Sequence, residues 1–175
     1  MISDFRFPDG AAAARAARRI APRVVELRKR VHDAGFSVIY VNDNPGKWRS
    51  DGPALIRHAL SERSLGAEVA AMLKPGEDDY FILKPRHSAF YATPLELLLE
   101  HMGARRLILA GFSSHQCVLF TATDAHVRDF ELVVPSDCVA SPSAGQTRFA
   151  LKYFQDALHA KVAPLASLRL ARERR

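Results

Sequence analysis

The chain is poor in cysteine, with two, Cys117 and Cys138, in 175 residues. That is too few for the disulfide framework of a secreted domain, and no bridge between them is expected. Long apolar runs are lacking too. No window approaches the roughly 18 uninterrupted apolar residues of a membrane span, and Met1-Ile2-Ser3-Asp4-Phe5-Arg6 has no apolar h-region for secretion. A cytoplasmic protein is expected. Zinc-finger spacing, an aromatic-basic RNA-binding pattern and a helix-turn-helix are absent. The net charge of +6 comes from scattered arginines: Arg15, Arg18, Arg19, Arg23, Arg28 and Arg30 dot one amphipathic segment, and Arg169, Arg172, Arg174 and Arg175 close the chain. They read as a solvated helix face and a tail rather than a nucleic-acid surface. The seven histidines form no HxH or HxxxH pair, so His58, His87, His115 and His126 are expected as surface or supporting groups and no metal is expected.

What is present is ordinary globular usage, 48% hydrophobic and 25% charged, over a length that buries a full core as one domain, residues 1–175. Helix-like and strand-like segments alternate. Ala11 to Ala34 is helical, with Ile20, Val24, Leu27 and Val31 at three- and four-residue steps. Pro22 is expected to kink it or to start a second helix, and Gly35 to end it. Phe36 to Val41 is a strand followed by the turn residues Asn42-Asp43-Asn44-Pro45-Gly46. Pro53 to Leu73 reads as one or two short helices, Tyr80 to Leu83 as a strand and Leu95 to His101 as a helix opened by Pro94. A strand over Arg106 to Ala110, a helix from Val118 to Arg128, a strand over Glu131 to Pro135 and a helix over Gly145 to Ala160 complete the pattern. Such alternation predicts an α/β fold, a parallel sheet covered on both faces by helices in a three-layer α/β/α sandwich.

In such sheets ligands bind at the carboxyl ends of the strands. Asn42-Asp43, Lys84 and Ser113 to Cys117 should therefore meet in one crevice. The segment Gly111-Phe112-Ser113-Ser114-His115-Gln116-Cys117 reads as a tight turn that sets a cysteine at a helix N-terminus. The unpaired amides there favour a thiolate and can also hold the oxyanion formed when it attacks a carbonyl. A buried, inert cysteine among Val118, Leu119 and Phe120 is the alternative reading of the same residues. Lys84, directly after a buried strand, would stabilise the thiolate by charge or hold a substrate carbonyl or carboxylate.

At these residues the chain resembles the isochorismatase-like cysteine hydrolases, a group that includes nicotinamidases and carbamoylsarcosine amidases. The likeness covers Val38 to Asp43, Lys84-Pro85 with Ser88-Ala89-Phe90, Gly111 through Val118, Thr121-Ala122, Asp124-Ala125 and Arg128-Asp129. It implies an enzyme with a Rossmann-like three-layer sandwich and a Cys-Asp-Lys triad, in which Cys117 is the nucleophile and Lys84 the triad lysine. It further implies a cis peptide between Phe112 and Ser113 and an oxyanion hole from the Ser113 and Cys117 amides. Phe5, Trp48 and Phe90, with Tyr91, would wall an apolar substrate pocket or, on the alternative reading, fill core, and Asp43 would contact substrate. The implied activity is hydrolysis of a small amide-type C–N bond through a thioester, without a cofactor, by a homo-oligomer acting on a small-molecule substrate. A vinyl-ether hydrolase of the isochorismatase type and a noncatalytic relative remain open.

Two departures qualify the likeness. The triad aspartate would stand one residue before Met1, so it and the first, central strand are absent from these 175 residues. Asp4 matches a different position, and Asp43 is the nearest substitute. The expectation is an upstream in-frame segment encoding an apolar strand that ends in Asp, with the 175-residue form inactive and poorly stable. The second departure is Asn44-Pro45-Gly46-Lys47-Trp48, where nicotinamidases place metal-binding histidines; nicotinamide deamidation is disfavoured.

Overall fold

The computed structural model describes residues 1–44, 49 and 51–170. Helix α1 (Gly10–Asp33) is followed by β1 (Ile39–Asp43), α2 (Gly52–Ala59), α3 (Ala67–Met72), β2 (Tyr80–Lys84), α4 (Leu95–His101), β3 (Arg106–Ile108) and β4 (Gly111–Phe112). A π-helical turn (Ser114–Val118) then leads into α5 (Leu119–His126), β5 (Glu131–Pro135), β6 (Val139–Ala140), α6 (Ala144–Asp156) and β7 (Lys161–Ala163).

Every strand pair is parallel, in three hydrogen-bonded groups: β1 with β2, β3 with β5 and β7 in that order, and β4 with β6. Alternation along the strands builds the layers, because successive side chains point to opposite faces. Ile39, Val41, Leu107, Leu132, Val134 and Val162 pack with α4, α5 and α6, around Leu95, Leu99, Ala122, Ala150 and Phe154. The intervening residues turn the other way. Val133, Ile108 and Ala163 meet Leu27 and Val31 of α1, and Tyr40, Phe81 and Leu83 meet α2 and α3. The result is the expected three-layer α/β/α sandwich. Among the described residues, the three groups share no ladder pairing with one another.

Several elements differ from their sequence reading. Pro22 does not break α1, which runs through it for 24 residues. Pro22 is exposed while its neighbour Ala21 is fully buried, so the carbonyl that loses its partner faces water and the buried alanine face holds the helix together. Gly35, at φ 73°, ends it as expected. The segment from Arg106 to Ala110 is split, since β3 pairs with β5 and the chain then shifts to pair β4 with β6. Strands β6 and β7, of two and three residues, are too short to show a period. The final helix starts at a capping box, in which Ser143 Oγ accepts from the Gln146 amide and Gln146 Oε1 accepts from the Ser143 amide. No helix among the described residues is long and apolar enough to cross a membrane.

Candidate active site

Asp43 and Lys84 close β1 and β2 and are register partners, so the parallel pairing sets both side chains at the same end of the sheet. The π-helical turn leaves the same end of β4. Gly111, at φ 114°, enters this turn in a conformation that L side chains rarely adopt, and the peptide between Phe112 and Ser113 is cis. The amides on either side of Cys117, those of Gln116 and Val118, both donate to the Ser113 carbonyl, at 3.1 and 3.2 Å. Cys117 is thus held inside a π-helical turn ahead of α5, rather than at the first residue of a regular helix.

Lys84 is 3% exposed. A buried ammonium is tolerated only when it is paired, and each of its three N–H groups has a partner. It donates to Asp43 Oδ1, to the Arg86 carbonyl at 3.0 Å and to Cys117 Sγ at 3.4 Å. The Asp43 side chain is 64% exposed, so one end of the ion pair is in the protein and the other in solvent. Beside it, Asn44 donates its amide to the Lys84 carbonyl at 2.9 Å, and Asn44 Oδ1 is buried with no partner among the described residues. The Met1 amino group is buried near Asp43, Cys117 and Lys84, and burial pushes its pKa below the ordinary value.

Behind the cysteine lies a small polar cluster. Ser141, 1% exposed, has its Oγ 2.6 Å from Ser114 Oγ, 2.8 Å from His115 Nδ1 and 3.2 Å from both the His115 amide and Ser113 Oγ. Ser113 Oγ is also 2.7 Å from His115 Nδ1. Burial pushes the His115 pKa below its ordinary value. On the open side, His87 Nδ1 is 3.9 Å from Cys117 Sγ, and its ring lies 5.3 Å from that of Phe120.

The structure therefore brings together Cys117, Ser113, Lys84 and Asp43. It holds Asp4 elsewhere, bonded to His58 at 2.8 Å and to the Arg6 amide. Phe5, 2% exposed, lies edge-on to Phe112 in the core under α1. Phe90, 6% exposed, packs in the core against Phe130 and under the Arg128 guanidinium. Neither aromatic has a described contact with Cys117 or Lys84; both are buried in core clusters. Tyr91 is 58% exposed, and Trp48 lies outside the described residues. Ser141 escapes the sequence reading, which places His87 only as a surface or supporting group. Nothing in the local pattern around Ser141 marks it, since its partners are some 27 residues away, whereas His87 sits three residues beyond Lys84 on the same strand-end loop. Among the described residues, no group of three or more His, Cys, Asp or Glu is arranged to hold a metal ion.

Comparison with known proteins agrees with this architecture. A model of the Isochorismatase domain matches residues 1–167. The uncharacterized isochorismatase family protein YaaI of Bacillus subtilis is 35% identical over 162 residues, which cover 93% of this chain and 88% of that one. An isochorismatase family protein of Desulfovibrio vulgaris superposes with a TM-score of 0.76 at 24% identity, over 94% of this chain and 90% of that one. The N-carbamoylsarcosine amidase of Thermoplasma acidophilum superposes with a TM-score of 0.69 at 26% identity, over 87% and 86%.

Proposed function

The chain belongs to the isochorismatase family of hydrolases, and from that premise we propose that it cleaves a small amide-type C–N bond through a thioester on Cys117. One observation carries this reading: a buried, fully engaged lysine donates to the sulfur of a partly accessible cysteine at the carboxyl ends of parallel strands. The ammonium stabilises the negative sulfur that attacks the substrate carbonyl. As the carbonyl carbon becomes tetrahedral, its oxygen takes the π pair, and the backbone amides of Ser113 and Cys117 receive that charge. The C–N bond then breaks, the amine leaves with a proton, and water cleaves the thioester to regenerate the thiol.

Asp43 has two tasks in this scheme. It balances the Lys84 charge, and its exposed oxygen is free to accept from a substrate N–H. The N-carbamoylsarcosine amidase neighbour supports an amide or carbamoyl substrate. A vinyl-ether hydrolysis would leave the lysine–sulfur contact without a task, so the geometry favours the amide reading. The test is a panel of small amides and carbamoyl compounds, N-carbamoylsarcosine and nicotinamide among them, with release of ammonia or amine as the readout. Turnover by the wild-type chain and none by Cys117→Ala is expected, with an acylated Cys117 peptide in the mass spectrum of quenched enzyme. Turnover by Cys117→Ala equal to wild type would remove the thioester.

A further inference from the structure

The turn that carries Cys117 is held from behind by a side chain the reaction scheme does not use. Phe112 and Ala140 are register partners in the β4–β6 pair, so the residues that follow them, Ser113 and Ser141, leave the sheet side by side. Ser141 is 1% exposed and Ser114 has no exposure. A buried hydroxyl adds little net stability over the hydrogen bonds it gives up in water, but each bond it makes fixes its partner's direction. His115 stands midway between Ser113 and Cys117, and Ser141 Oγ holds it twice, accepting from its backbone amide at 3.2 Å and lying 2.8 Å from Nδ1. The same oxygen lies 2.6 Å from Ser114 Oγ and receives the Ser113 hydroxyl at 3.2 Å. Ser141 is fixed in turn by α6: its amide donates to Thr147 Oγ1 at 3.0 Å, and Thr147 Oγ1 donates to the Ser143 carbonyl at 3.1 Å. Apart from Ser141, the described bonds to the backbone of residues 113–117 come from nearby in sequence, from the Gln116 and Val118 amides, the Leu119 amide and the Thr121 hydroxyl.

We infer that Ser141 is a positioning residue for the oxyanion hole. The inference rests on the thioester reading above, in which the Ser113 and Cys117 amides receive the charge of the carbonyl oxygen. Two amides two residues to either side of His115 must point at one small oxygen, and a donor that is slightly misaimed loses much of its hold on the transition state. By gripping His115 between them, Ser141 ties the aim of both to β6 and α6. Ser141 has no described contact with the sulfur, so its effect is confined to the step in which an oxyanion forms. That separates two reactions of the same thiolate. With 4-nitrophenyl acetate the sulfur pair adds to the carbonyl carbon, the π pair moves onto the oxygen, and it returns as nitrophenolate leaves. With iodoacetamide the sulfur pair displaces iodide from a saturated carbon, and no oxyanion forms.

The test compares wild type, Cys117→Ala, Ser141→Ala and Thr147→Val in both reactions. Acylation is read as nitrophenolate release in stopped flow, and alkylation by mass spectrometry of the Cys117 peptide. Cys138 is fully buried, so its continued resistance to labelling verifies that each variant is folded. A nitrophenolate burst is expected in wild type and not in Cys117→Ala. Ser141→Ala is expected to slow that burst about tenfold or more, short of the roughly hundred- to thousandfold loss of an oxyanion donor itself, and to leave Cys117 alkylation within about twofold. Thr147→Val keeps the Ser141 hydroxyl and releases its amide; it is expected to slow the burst about fivefold with alkylation unchanged, and it decides the comparison should Ser141→Ala expose Cys138. A burst in the folded variant within about twofold of wild type, too small for a misaimed oxyanion donor, overturns the role of Ser141. Equal slowing of burst and alkylation also overturns it and makes Ser141 a structural residue of the turn. A wild-type chain whose Cys117 alkylates but gives no Cys117-dependent burst overturns the thioester reading, and this inference with it.

Discussion

The two cysteines stand in opposite surroundings. Cys138 has no solvent exposure, and its thiol is pushed up to about 12, first by burial and then by the charges of Asp137 and Glu26, with Arg23 and Arg30 working the other way. Cys117 is partly accessible, receives an N–H from the Lys84 ammonium and faces an imidazole. Each lies a few residues past a strand end, after polar residues (Ser113 to Gln116; Ser136-Asp137) and before apolar ones (Val118-Leu119-Phe120; Val139-Ala140), so local composition does not separate them. What separates them is the sign of the charge that the fold delivers to each sulfur. The Lys84 ammonium donates to Cys117 Sγ, whereas burial and the Asp137 and Glu26 carboxylates push the Cys138 thiol up.

The contrast is broken most completely at the nucleophile. Cys117→Ala is expected to lower hydrolysis by at least about a thousandfold, as removal of a covalent nucleophile does, while its urea midpoint stays near wild type. Next in size is Lys84→Met, which keeps the stem and removes the charge. A unit charge at contact distance near a protein surface is worth about 4 kcal/mol before solvent screening, and every 1.4 kcal/mol is tenfold. Alkylation of Cys117 by iodoacetamide is therefore expected to slow about ten- to a hundredfold, read by mass spectrometry of the labelled peptide.

Asp43→Asn sharpens the comparison further. It leaves a buried ammonium with one fewer anionic partner and is expected to cost about 1–3 kcal/mol of stability in urea denaturation, with a smaller effect on alkylation than Lys84→Met because the carboxylate does not touch the sulfur. Ser141→Ala removes the centre of the cluster behind the turn. About 1–2 kcal/mol is expected for the unpaired groups left on Ser114 and His115, and unchanged stability would show that water replaces the hydroxyl. The smallest effect is on pH. The folded His115 binds its proton below the ordinary histidine range, so the unfolded chain protonates first as pH falls. The stability that neutral His115 contributes is present above about 6.5 and is lost as pH falls through the lower folded value. Melting between pH 7.5 and 5 is expected to show this loss, and His115→Asn to reduce it.

Much of the scaffold was legible because burial alternates along the strands. Ile39, Val41 and Tyr40 were readable as a strand, and they divide between the two helical layers as a two-faced strand must. Lys84 and Cys117 were legible as site residues since both follow buried strands in a parallel sheet, where strand ends share one edge. The brace was not legible. Ser141 meets Ser113 and Ser114 only through the β4–β6 pairing, and β6 is two residues long. Phe5 and Phe90 show the converse limit, because an isolated aromatic carries the same sequence signal whether it lines a pocket or plugs the core. Pro22 failed as a helix breaker for a related reason: propensity says nothing about which way the orphaned carbonyl points.

The most direct measurement follows iodoacetamide labelling of the native chain at pH 7.5 with time, mapped to the Cys117 and Cys138 peptides separately. Fast labelling of Cys117, slow labelling of Cys138 until the chain is unfolded, and loss of the difference in Lys84→Met are the predicted results. Equal rates at the two cysteines in the folded wild type, or a Cys117 that labels no faster than a free thiol and is indifferent to Lys84, would contradict the account.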